Sequence, residues 1–510
     1  MTATAEPRPV GFDPGLYLRE QTVAIRDRAR RFDNKLYLEF GGKLISDGHA
    51  ARTLPGYDPN AKVRLLQELR DQIEIIVCIF AGDIERKKLR ADFGITYDAD
   101  ALRMMDDLRD RGLPVSSVVI TRFNGQPAAV QFRNRLERRG LRVYTHAATP
   151  GYPTDVDTIA SECGYGANPR IETSRPIVVV TAPGPGSGKM ATCLSQLYHD
   201  HRHGVHSGYA KFETFPVWNL PLKHPVNVAY EAATADLGDV NLIDPFHLAA
   251  TGERAVNYNR DVEIFPVLRR ILERITGEAS PYRSPTDMGV NRVGFAISDD
   301  AVARAAATQE VIRRRFRYQC EYALGSIESE TVERAERLMR ELGACPEDRR
   351  VVGPARETAA RAMARGLGHE GICCGAAMEL PGGAVITGRN SPLMHAASSL
   401  VLNATKALAG LPDPLHLLSP GVIESIGAMK RSIAHRPSVS LNVEETLIAL
   451  AVSAAGNPAA QLAMDRLADL RGCEAHLTHM PTPGDEAGLR RLGVNLTSDS
   501  AFPSRELFIP

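Results

Sequence analysis

The chain has 510 residues, 44% of them apolar, enough for large buried cores and for about three domains at roughly 150 residues each. Its 61 Lys and Arg balance 61 Asp and Glu, so no global charge draws it to nucleic acid or to an anionic membrane. No apolar run approaches the roughly 20 residues that span a bilayer, and MTATAEPRPVGFDPG has neither the basic nor the apolar region of a secretory signal, so the expected compartment is the cytoplasm.

Helix and strand alternate over the first third. A helix is predicted over Gly15 to Phe32, then the strand KLYLEF and a turn at Gly41 to Lys43. A helix over Lys62 to Asp71 leads into Glu74 to Phe80, a continuous apolar run of the kind found in buried parallel strands. Ala99 to Arg111 has helical spacing, Val115 to Thr121 reads as a strand, Gln126 to Arg139 as a helix and RVYTH as a strand. This alternation predicts a mainly parallel α/β sheet covered by helices.

Residues 147–176 read as a long irregular crossing rich in Gly, Pro, Thr and Asp. PIVVVTAPGPGSGKMATCLSQLYHD follows as strand, loop and helix, FETFPVW as a strand, and helices are predicted at Val226 to Ala235 and Arg260 to Thr276. Ser298 to Leu342 is charged and helical. Beyond it come apolar strands at GICCGAAMEL and GGAVITG, and helices at MHAASSLVLNATKALAG, Val443 to Ser453 and Pro458 to Leu470, the last capped by Asn457. The expected divisions are 1–170, 171–297 (continuous with the first or separate), 298–345 and 346–510.

The glycine loop carries the clearest chemistry. A short apolar strand ends, the chain turns on Gly184, Gly186 and Gly188, and a helix begins. Glycines permit positive φ and close approach to an anion, and the helix N-terminus favours negative charge. Lys189 stands where a Walker lysine reaches phosphates, but Pro183 replaces a glycine of G-x-x-x-x-G-K-[ST], and Met190 replaces the magnesium-binding hydroxyl. Ser187 and Thr192 are the candidate substitutes, and Asp244, after VNLI, is the candidate second carboxylate. The competing reading is a tight turn without ligand.

Lys211, Glu213, Asp236, Asp239, Asp244 and His247 are expected near this loop, with Asp244 and His247, three apart, as a candidate catalytic acid–base pair. The plainer reading is a set of solvated loop carboxylates. Asp83, Glu85, Arg86, Lys87, Arg90, Asp92 and the segment Thr121 to Ala129 follow two strands at the edge where parallel sheets bind ligands. No metal site is expected. His199 and His203 are four apart but lack a third ligand. The eight cysteines contain no C-x-x-C pair and read as reduced, mostly buried thiols.

Near the C-terminus, a strand leads to a helix opening at His395, as in zinc deaminases, but Ala397 stands in place of the glutamate of H-x-E and no P-C-x-x-C follows. The last part is therefore expected to be an α/β/α sandwich resembling the cytidine-deaminase-like fold without zinc, with Arg389, Asn390 and His395 as pocket candidates.

LYLEFGGKL, AGDIERKKLRADFGITYD, LERRGLRVY, GYPTDVDTI, TAPGPGSGKMATCLSQLYH and KFETFPVWNLPLKHPVN together resemble a conserved bacterial family described as a domain of unknown function. The resemblance spans nearly the whole chain. It implies a bacterial cytoplasmic protein with an α/β N-terminal part, a helical part and a deaminase-like C-terminal part, and it supplies no catalytic residues. Two functions are expected from the residues themselves. One is binding of a nucleotide, with or without magnesium, or of another phosphorylated small molecule, with group transfer as the reaction class. The alternative is a non-catalytic, ligand-binding or regulatory homo-oligomer that uses the loop as an anion nest.

Overall fold

Unbroken apolar runs dictate the centre of the molecule. The computed structural model describes residues 9–90, 94–433 and 439–504, which group into two compact units that meet in sequence at Ala307 and Thr308. In the first unit, Leu36–Phe40 (β1), Ile73–Phe80 (β2), Val115–Thr121 (β3), Arg142–His146 (β4), Ile177–Thr181 (β5) and Gly208–Phe212 (β6) form one sheet in the order β4-β3-β2-β5-β1-β6. Every neighbouring pair is parallel. β1 and β5 are buried at every residue, because a covered parallel sheet has no wet face and so shows no polar alternation.

β5 lies between β1 and β2, so the stretches 1–170 and 171–297 contribute to a single sheet. Helices Pro14–Arg30, Ala61–Glu68, Tyr97–Asp110 and Pro127–Glu137 lie within a few residues of their predicted positions. The strand expected at FETFPVW is instead Gly208–Phe212, GYAKF. Past Phe212 the chain leaves the sheet, where Pro216 and Pro221 offer no N–H to a ladder. VNLI supplies only Asn241–Ile243 (β7), which pairs antiparallel with Val256–Tyr258 (β8) outside the main sheet.

Charged helices Asp300–Ala323 and Ser329–Glu341 match the predicted helical stretch. The C-terminal unit contains Gly375–Glu379 (β9), Val385–Arg389 (β10), Glu474–Leu477 (β11) and Asn495–Ser498 (β12), in the order β10-β9-β11-β12. β9 is antiparallel to both neighbours, whereas β11 and β12 are parallel. Met378, Leu400, Val401, Leu477 and Leu489 belong to its core. Asn457 caps Pro458–Met464 by accepting from the amides of Ala459 and Ala460, with Pro458 in the first turn.

Cys373 and Cys374 precede β9 instead of lying in it. All eight cysteines are free thiols. Only Cys78, Cys193 and Cys473 are buried, and Cys163 and Cys345 are exposed, which corrects the expectation of mostly buried thiols. Among the described residues, no helix is long and apolar enough to cross a membrane.

Candidate functional site

The loops after β1, β2, β3, β5 and β6 leave the same edge of the sheet, the carboxyl ends of parallel strands. The glycine loop emerges from β5 and ends at Gly188, whose left-handed backbone (φ 80°) starts the helix Lys189–Arg202. The first turn of that helix holds no acidic side chain, so its positive end is not neutralised locally. Among the described residues, the amides of Gly186 and Gly188 donate to no backbone carbonyl.

The loop is braced from the other strands. Thr121 Oγ1 donates to the Ser187 carbonyl at 2.9 Å. Arg122 donates to the Gly186 carbonyl while its guanidinium lies over the Phe80 ring, 3.5 Å from the centroid. Gly184 backs onto the Tyr97 ring. The two polar loops expected at this edge therefore do meet, and Glu85 Oε2 also accepts from the Ala128 amide at 2.9 Å. Asp83 pairs with Arg86. Asp92 lies outside the described residues, as does the Arg90 side chain.

Both candidate substitutes for the missing hydroxyl are engaged. Ser187 Oγ donates to Gly184 O at 2.8 Å, and Thr192 Oγ1 donates to Gly188 O at 3.0 Å while accepting from Cys78 Sγ.

A carboxylate that sequence reasoning missed faces the loop lysine. Glu39, the polar residue of β1, stands in register with Val180 of β5 and Lys211 of β6. Its Oε1 is 3.9 Å from Lys189 Nζ, and its Oε2 accepts from Tyr209 Oη at 2.7 Å. Its signal was available in sequence, as the one charged residue in an otherwise apolar strand.

Beyond Glu39 the predicted Lys211 and Glu213 come together. Lys211 Nζ pairs with Asp261 and lies 3.2 Å from Glu213 Oε1, which also accepts from Tyr258 Oη at 3.1 Å. Burial opposes the Lys211 charge, but Asp261, Glu213 and Glu39 outweigh it and hold the ammonium above its ordinary range. For Glu213, burial pushes the carboxyl up, Lys211 pulls it back, and Asp261 and Glu39 raise it further, to about 7.

Asp244 and His247 do not form the expected acid–base pair. Asp244 is fully buried and caps Pro245–Thr251, with Oδ1 accepting from the amides of Phe246 and His247. Its Oδ2 accepts from the Thr286 amide and hydroxyl, at 3.2 and 2.7 Å. With both oxygens committed, the carboxylate is a structural tie, and His247 Nδ1 turns to Ser284 Oγ at 3.2 Å. Asp244 also follows the separate β7–β8 ladder and not a strand of the six-stranded sheet. Asp239 pairs with Arg260, and Asp236 is exposed.

His199 and His203 are both engaged with backbone carbonyls. His199 Nε2 lies 2.8 Å from Asn168 O, and His203 Nδ1 lies 2.6 Å from His199 O. Among the described residues, no group of three metal-ligating side chains is assembled.

Arg389, Asn390 and His395 belong to the C-terminal unit. Asn390 ties loops together, accepting from the Cys374 amide and donating to Ile372 O, while Arg389 is exposed. His395 immediately precedes the helix Ala396–Leu408, with Nδ1 2.7 Å from Asp485 Oδ2. Asp485 also accepts from the Val443 amide and the Thr482 hydroxyl, so its carboxylate ties His395 to two neighbouring segments of the unit.

Family models described as Domain of unknown function DUF1846, N-terminal and C-terminal, match residues 10–343 and 347–508. A protein of Clostridium botulinum named as a UPF0371 protein is 56% identical over 499 residues, covering 98% of this chain and 99% of its own. A UPF0371 protein of Clostridium tetani is similar to the same extent, 56% over 499 residues. Matched from end to end by both models and by full-length relatives, the chain belongs to the DUF1846 family, whose members in Clostridium are named UPF0371 proteins.

Proposed function

We propose that the first unit binds a nucleotide, or another phosphorylated small molecule, at Gly184–Lys189, with phosphoryl or other group transfer as the reaction class. One observation carries this reading: the amides of Gly186 and Gly188, which bond no backbone carbonyl, stand beside Lys189, whose ammonium faces Glu39 on the adjacent strand at 3.9 Å. Backbone donors and a helix N-terminus suit phosphate oxygens. A carboxylate on the strand beside the loop is where a magnesium-bound nucleotide needs one, and in this chain that strand precedes the loop. Titration of the full chain with ATP and GTP, with and without magnesium, tests the reading. Lys189→Ala is expected to weaken binding by at least about tenfold, roughly 1.4 kcal/mol. Equal affinity in the variant excludes the loop as the site.

The non-hydrolysing reading has its own support. Met190 removes the hydroxyl that would hold magnesium, and Ser187 and Thr192 are engaged elsewhere. Binding that depends on Lys189, without turnover of any nucleotide, favours it.

For the C-terminal unit we retain a deaminase-like sandwich without zinc. Support comes from β10 leading into a helix that opens at His395, and from Asp485 at the N-terminal end of the helix after β11. One bound zinc per chain in an elemental analysis contradicts it. A cytoplasmic homo-oligomer completes the proposal on general grounds of oligomer frequency, and light scattering measures it.

A further inference from the structure

The helix Ser329–Glu341, in the C-terminal unit, has two unlike faces. Ala335, Leu338 and Met339 are buried, while Glu330, Glu333, Arg337 and Arg340 are exposed. At helical spacing these four charges fall within about 80° of one another around the axis. With Arg334 and Glu336 they line one shallow groove on the surface.

Their order along the helix is symmetric. Counting outward from Ala335, residues at equal distances carry opposite charges: Arg334 and Glu336, Glu333 and Arg337, Glu330 and Arg340. The acidic pair Glu330 and Glu333 thus fills one end of the outward face, and the basic pair Arg337 and Arg340 fills the other. Acid near the start and base near the end also suit the macrodipole of a lone helix, but that demand is met at any angle around the axis. Here all four groups share one side. Glu336 is committed within the unit, accepting from Arg315 at 3.3 Å and Gln319 at 3.2 Å. Arg337 is 63% exposed and makes a loose contact with Glu341 at 4.0 Å, an exposed pair that contributes little.

We propose that this face docks a second copy of the chain, with the two Ser329–Glu341 helices antiparallel about a twofold axis at the level of Ala335. The inference gives a surface to the homo-oligomer proposed above and rests on that reading. In this arrangement the Glu330 and Glu333 end of each helix meets the Arg337 and Arg340 end of the other. The same contacts form twice, as a closed twofold interface requires. A parallel pairing would set like charge against like, whereas the antiparallel one also opposes the two helix dipoles. Tyr322 and Leu324, 51% and 62% exposed, stand at the turn that leads into the acidic end and give the pairing apolar surface to cover. Exposed ion pairs are weak singly and are screened by salt, so the dimer is a salt-sensitive one.

Sedimentation of the full chain at about 50 mM and about 500 mM salt tests the proposal. The wild type is expected to dimerise at low salt and to lose about tenfold or more in affinity at high salt. Glu330→Arg with Glu333→Arg sets base against base, and Arg337→Glu with Arg340→Glu sets acid against acid. Each double variant alone should dimerise at least about tenfold more weakly than the wild type at low salt. Mixed one to one, the two variants are complementary at all four positions and should form a heterodimer. A chain with all four reversals should dimerise again by itself. Far-UV circular dichroism checks the fold of each variant, and recovery on mixing is open only to variants that keep the helix. A dimer that persists in both double variants overturns this surface while leaving a homo-oligomer in place. Double variants that stay monomeric when mixed overturn it as well. A wild type that is monomeric at low salt overturns both this surface and the homo-oligomer.

Discussion

His146 closes β4 with 4% of its surface exposed and Nε2 3.2 Å from the Pro169 carbonyl. Burial lowers its pKa from 6.5 to about 4, only partly offset by that hydrogen bond. A depressed histidine gives stability that is complete above the unfolded pKa and is lost as pH falls toward the folded one, because the unfolded chain takes a proton that the fold refuses. The window here runs from about pH 6.5 to about pH 4, and the loss reaches at most about 3 kcal/mol. Urea denaturation between about pH 7 and pH 4.5 measures it. His146→Gln keeps a donor for Pro169 and should flatten the pH slope over that window. An unchanged slope in the variant would assign the acid sensitivity to other groups.

At the scale of the element, the glycine loop separates two demands on its backbone. Gly186 and Gly188 both have positive φ, 69° and 80°. A Cβ on Gly186 would meet nothing within 4 Å, whereas one on Gly188 would lie 2.9 Å from Thr121 Cβ. Gly186→Ala should therefore cost about 1 kcal/mol of backbone strain alone. Gly188→Ala adds the collision and should cost about 2–3 kcal/mol. Thr121 also holds the Ser187 carbonyl, so the second variant should shift the loop and weaken nucleotide binding more than the first. Denaturant midpoints and nucleotide titrations of the two proteins give the comparison, and equal effects would count against Thr121 as the brace.

For the whole molecule, legibility followed burial. The strands β1, β2, β3 and β5 are apolar or β-branched runs long enough to read, and β4, RVYTH, was legible from its place after a helix, so the parallel sheet could be predicted from alternation. β6 was displaced because the aromatics of FETFPVW outweighed GYAKF, and β11 and β12, at four residues each, are too short and mixed to show a period. Lys189, Lys211 and Glu213 were legible because they sit in local motifs. Glu39 shows in the sequence as a lone charge in an apolar strand, but not as a neighbour of the loop, because a phosphate loop prompts a search downstream, whereas the partner strand of β5 lies far upstream and only the pairing of β1 with β5 brings them together.

Each unit also has a sheet of its own. In the C-terminal one, Arg349 is 1% exposed and its guanidinium bonds Thr497 Oγ1 at 2.9 Å, the Asn495 carbonyl at 2.7 Å and the Glu474 carboxylate, joining β11 to β12. Arg349→Met removes this fork. Glu474 is 37% exposed and can be rehydrated, so the expected loss is near the lower end of the range for a broken buried pair, about 3 kcal/mol. Arg349→Lys keeps the charge but not the planar fork and should fall between. Chemical denaturation of the three proteins checks the order. Because Lys189 and Glu39 belong to the other unit, nucleotide affinity should be the same in all three. A parallel loss of affinity would mean that the phosphate site depends on the C-terminal sheet and not on the six parallel strands alone.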